Sequence, residues 1–107
     1  MTGPEFASVD ATPSGPLSRP AAEALASTFR AISDPTRLQV LSMLLGSATG
    51  EATVGELATS LGLRQPTITH HLRILLEDGI LTREQRGRHV WMSIARERKQ
   101  EIVDLLR

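Results

Sequence analysis

The stretch from Leu63 to Gly79 leaves this chain few ways to fold. At ~100° per residue, Ile68, Leu72, Leu75 and Leu76 fall at i, i+4, i+7 and i+8 and make one apolar helical stripe. Thr67, His70 and Arg73 lie opposite it, with Gln65 and Thr69 nearer its border. These are short or planar hydrogen-bonding groups and one cation, and no acid precedes Glu77 and Asp78. A helix face that meets only solvent mixes Glu with Lys; this one suits base edges and phosphates. The neighbours His70 and His71 do not make a chelating pair, because adjacent helical side chains point ~100° apart. His71 falls at the edge of the stripe and is expected to be a core histidine bonded within its own subunit.

The flanking segments give that helix a setting. Thr53-Val54-Gly55-Glu56 matches a capping box, in which each side chain bonds the other residue's backbone N–H. The short helix it opens turns Val54, Leu57, Ala58 and Leu61 inward and stops at Gly62. A short helix, the turn Gly62-Leu63-Arg64 and a second helix make a helix-turn-helix unit. Upstream, Asp34 as N-cap and Pro35 as first helical residue start a helix with Leu38, Val40, Leu41, Leu44 and Leu45 inside, ended by Gly46. Gly46 to Ala52 reads as a polar turn. Before that, Pro20 opens a helix carrying Ala22, Leu25, Ala26, Phe29 and Ile32 on one side.

Downstream, Ile80 to Gln85 reads as a strand, Arg86-Gly87 as a tight turn and Arg88 to Ile94 as the returning strand. Val90, Met92 and Ile94 alternate with His89, Trp91 and Ser93, and Trp91 is expected to cover a neighbouring helix. A hairpin directly after a helix-turn-helix is a wing, with Arg83, Arg86 and Arg88 near its tip. Ala95 to Arg107 forms a last helix with Ile102, Leu105 and Leu106 as its stripe. The expected fold is therefore mainly α with a small β-wing: a winged helix-turn-helix of five helices plus a two-stranded hairpin over residues 20–107. Residues 1–19, with Gly3, Pro4, Pro13, Gly15 and Pro16 and no period, read as a flexible arm.

Charge distribution agrees with that setting. The 107 residues, enough for one small core, have zero net charge. Residues 1–63 hold three Arg against six acids, and residues 64–107 hold nine Lys/Arg against six acids. The cations gather where the candidate helix and wing lie. Absence of cysteine excludes disulfides, thiolate metal sites and a cysteine nucleophile. No apolar run approaches the ~18 residues of a membrane span, and no signal-peptide pattern is present, so a soluble cytoplasmic protein is expected. With no glycine-rich phosphate loop, no metal cage and no convergent Ser/His/Asp set, an enzyme is not. Glu97, Glu101 and Asp104, without His or Cys, are a poor transition-metal site. Neither metal nor cofactor is expected.

Three places together carry a resemblance: Asp34-Pro35-Thr36-Arg37-Leu38, Gln65-Pro66-Thr67-Ile68-Thr69-His70-His71-Leu72-Arg73, and Arg86-Gly87-Arg88 leading to Val90. In this order they resemble the ArsR/SmtB family of prokaryotic winged-helix transcriptional regulators, over roughly residues 20–107. The resemblance implies a homodimer built from the first and last helices, through Leu25, Phe29, Ile102, Leu105 and Leu106. It implies a palindromic double-stranded operator with half-sites ~34 Å apart. It implies that Gln65, Thr67, Thr69 and His70 face bases. Arg64 and Arg73 flank them and are expected on phosphates, Arg86, Arg88 and His89 on the backbone or minor groove. The cysteine and histidine ligands of the family's metal sensors are missing, and Arg64 stands where Ser is frequent. The expected function is sequence-specific DNA-binding regulation, repression before activation, with an effector or partner protein left open. The alternative is a winged-helix protein-interaction module, which needs apolar anchors on the outward helix face; only Ile74 qualifies.

Overall fold

The computed structural model describes residues 15–107. Its elements are α1 (Arg19–Ile32), α2 (Pro35–Gly46), β1 (Glu51–Thr53), α3 (Val54–Leu61), α4 (Gln65–Glu77), β2 (Leu81–Arg86), β3 (His89–Ile94) and, after a 3₁₀ turn at Arg96–Arg98, α5 (Lys99–Leu106). The arm read over residues 1–19 falls mostly on residues outside this description; α1 starts at Arg19, capped by the Ser18 hydroxyl, which accepts from the Ala21 N–H.

Helix boundaries follow the caps in the sequence. The Asp34 carboxylate accepts from the Arg37 N–H at 3.1 Å, with Pro35 in the first turn of α2. At α3 the capping box is complete: the Thr53 N–H donates to Glu56 Oε1 at 2.9 Å and the Glu56 N–H to Thr53 Oγ1 at 3.0 Å. Gly62 ends α3 in the left-handed region at φ 66°, where a Cβ would be strained, and so lets α4 leave at an angle. At α4 the cap residue is Arg64, and its side chain makes no capping bond.

One core holds these elements. Val40, Leu41 and Leu44 of α2, Leu57 of α3, Ile68 and Leu75 of α4, Ile80, Met92 of β3 and Ile102 of α5 are all at most 1% exposed. The apolar stripe of α4 thus faces inward and its polar side outward.

Three expectations change. The last helix begins at Lys99 rather than Ala95, behind the 3₁₀ turn. The sheet has three antiparallel strands in the order β1-β3-β2, not two: Glu51, Ala52 and Thr53 pair with Ser93, Met92 and Trp91. Three residues are too short to show alternation, and their partners lie about forty positions away, so the segment had read as turn. The hairpin turn is Gly87-Arg88, one residue later than expected, with Gly87 at φ 58°. Arg86 therefore pairs with His89 inside the sheet.

Candidate nucleic-acid interface

The outward side of α4 divides into two rows. Gln65, Thr69 and Arg73, four residues apart, face the wing; Thr67 and His70 lie on the other flank, with Arg64 at the helix start. All six are exposed. Between the first row and the wing runs a groove of about 530 Å³, lined by Gln65, Thr69 and Arg73 on one wall and Arg83, Arg88 and His89 on the other, with Thr53, Val54 and Gly55 at its end. No acid lines it. Among the described residues Arg64, Arg73, Arg83 and Arg88 enter no ion pair. Three unneutralised guanidinium groups thus share one concavity with amide, hydroxyl and imidazole groups.

Two placements depart from expectation. Arg83 was not among the candidate contacts, yet it lines the groove, because it pairs with Met92 and so shares the sheet face turned towards α4. Strand alternation held that signal: Arg83 lies in phase with Leu81, whose side chain is buried. Arg86 was a candidate contact and does not line the groove. Its guanidinium sits 5.0 Å above the Trp91 ring and donates to both Glu51 carboxylate oxygens, at 3.0 and 2.7 Å, and to Glu84 at 2.8 Å. Glu51 is held below the usual carboxylate range chiefly by the Arg86 hydrogen bond. Trp91 thus carries the Arg86 guanidinium on its ring.

His71 is held from inside. Its Nδ1 lies 3.0 Å from Arg37 Nη1 and 3.7 Å from Asp34 Oδ2. A guanidinium only donates, so Nδ1 accepts and the ring proton sits on Nε2. His70 is exposed, and the two rings meet edge to face at 5.5 Å. Among the described residues no three His, Asp or Glu side chains are grouped to hold a metal ion, and no helix is long and apolar enough to cross a membrane.

For the dimer helices, Phe29 and Leu105 are exposed, at 45% and 36%, and Leu25 and Leu106 are half-buried. Ile102 is a correction: at 0% exposure it belongs to the chain's own core and has no surface to offer a partner.

A helix-turn-helix with an exposed second helix, followed by a wing that closes a cationic groove against it, defines a winged helix-turn-helix DNA-binding domain. Residues 34–83 match the family described as bacterial regulatory protein, arsR family. The transcriptional repressor SdpR of Bacillus subtilis is 36% identical over 66 residues, 62% of this chain and 70% of that protein. Among solved structures, HlyU from Vibrio cholerae superposes with a TM-score of 0.74 at 29% identity, covering 82% of this chain and 94% of that one. The homodimeric winged helix-turn-helix DNA-binding domain of a possible ArsR-family regulator from Mycobacterium bovis gives 0.67 at 28% identity, covering 87% and 82%. The chain belongs to the ArsR family of bacterial regulatory proteins, and is a DNA-binding transcriptional regulator.

Proposed function

We propose that this regulator binds a palindromic operator as a homodimer and represses transcription from the cytoplasm, with no catalytic activity of its own. The observation that carries the DNA reading is the acid-free groove in which Arg73, Arg83 and Arg88 face each other beside Gln65 and Thr69. Gln65, Thr67, Thr69 and His70 are the base-reading side chains. Arg64, Arg73, Arg83, Arg88 and His89 bind phosphates. The dimer reading is supported by the exposed apolar residues of α1 and α5 and by the homodimeric Mycobacterium bovis relative; repression is supported by the likeness to SdpR. Residues 20–107 serve as one DNA-binding and dimerisation domain. A protein-interaction module is disfavoured, because Ile74 is half-buried and packed against the core rather than offered outward.

The test is duplex binding at several salt concentrations. Arg88→Ala should weaken all sequences alike and flatten the slope of log K against log[salt] by about 0.9. Gln65→Ala or Thr69→Ala should instead relax preference at individual base pairs, by about 1–3 kcal/mol each. If neither class of change alters duplex affinity, the DNA reading is wrong.

A further inference from the structure

Arg86 differs from every arginine in the groove. Its strand, β2, and the strand of Glu51, β1, are not neighbours; β3 lies between them. The Arg86 side chain nevertheless crosses β3, resting on Trp91, and grips Glu51 through two parallel N–H···O bonds while Glu84 takes a third. Such a fork match fixes direction as well as distance. β1 runs straight into Thr53, the cap of α3, so the link joins the hairpin to the first residue of the helix-turn-helix. With two carboxylates against one guanidinium, the cluster carries a formal charge of −1 and repels phosphate.

We propose that Arg86 is a positioning residue for DNA binding: clasped by Glu51 and Glu84 over Trp91, it is a strut across the outer face of the sheet that sets the angle of the wing to the helix-turn-helix, and so the place of Arg83 and Arg88 against DNA. This rests on the DNA-binding reading above.

The strut and a direct phosphate contact predict opposite signs. Against a duplex selected by the wild-type protein from a random-sequence pool, Arg86→Gln and Glu51→Gln should each weaken binding by about two- to fivefold, the range of a well-formed exposed ion pair. The double variant should be no weaker than either single one. The salt slope should not change, whereas Arg88→Gln flattens it. Arg86→Lys should behave as Arg86→Gln, because an ammonium keeps the charge but not the fork. The proposal is overturned if Glu51→Gln tightens binding, as removal of an acid near DNA does by electrostatics alone, or if Arg86→Gln flattens the slope while Arg86→Lys restores it. Trp91 is the sole tryptophan, which adds a readout without DNA: both single variants should shift its emission and speed amide exchange between β1 and β3. If no duplex is selected, the DNA reading fails, and the strut is judged on emission and exchange; unchanged values in both variants overturn it.

Discussion

Asp34 shows how one residue serves two elements. Its carboxylate caps α2 through the Arg37 N–H, and lies 3.7 Å from the His71 ring of α4. The Arg37 side chain closes the triangle, donating from Nε to the Ala31 carbonyl and from Nη1 to His71. The Asp34 carboxyl is held below its ordinary range, first by the Arg37 backbone N–H. A depressed carboxyl pKa contributes stability above its unfolded value and loses it as pH falls through the folded value. Asp34→Ala should therefore cost about 1 kcal/mol near neutrality, the usual worth of an N-cap. That gap from wild type should close as pH falls from about 4 through the depressed folded value, in urea titrations run at each pH. A gap that persists in acid would mean that the carboxylate is not what caps α2. The cap itself was legible, since Asp-Pro before an apolar-periodic run has one local meaning. The hold of Arg37 on His71 was not, because 34 positions separate them and only the packing of α2 on α4 brings them together.

At the level of elements, periodicity identified all five helices and the hairpin because each buries one side, and burial writes a period into sequence. What escaped was set by neighbours in space. β1 is a strand only because β3 supplies its partners, and a one-residue shift of the turn moved Arg86 from the tip into the sheet. The end of α4 was equally hidden. Arg98, at the entrance to α5, donates from Nη1 to the Asp78 carbonyl at 2.9 Å, from Nη2 to the Thr28 hydroxyl at 2.7 Å and from Nε to Glu101 at 2.7 Å. The Asp78 carboxylate in turn accepts from the Ser27 and Thr28 hydroxyls of α1. Three elements meet on one polar junction, and Thr28 is only 2% exposed within it. Thr28→Val preserves the shape and removes the hydroxyl, leaving an Arg98 donor and an Asp78 acceptor short of a partner. The expected loss is about 1–2 kcal/mol, seen as a lower urea midpoint at unchanged m-value. An unchanged midpoint would show that water replaces the hydroxyl there without cost.

Among the described residues of the whole molecule, apolar surface on α1 and α5 is left uncovered. α1 buries Thr28, Ala31 and Ile32 but exposes Phe29 at 45%, and Leu105 of α5 is exposed at 36%. A small domain with a full core gains nothing from aromatic and leucine side chains in water, whereas a second copy would cover them. A C2 pair brings the same patch of both chains together, which separates the proposed interface from the core by a simple contrast. Phe29→Glu and Leu105→Glu should each leave the fold intact by circular dichroism and give the monomer mass by sedimentation. Ile102→Glu, at a residue the family resemblance had implied for the same interface, should instead unfold the chain, because its side chain is fully enclosed and an unpaired buried carboxylate is costly. The monomeric variants should retain the affinity of a single half-site, since the groove of α4 and the wing is built within one chain. They should lose the extra affinity of a palindrome, where the second half-site binds at the raised effective concentration set by the first. A Phe29→Glu, Leu105→Glu double variant that sediments as a dimer would move the interface elsewhere; one that is monomeric yet still favours the palindrome would detach operator recognition from dimerisation.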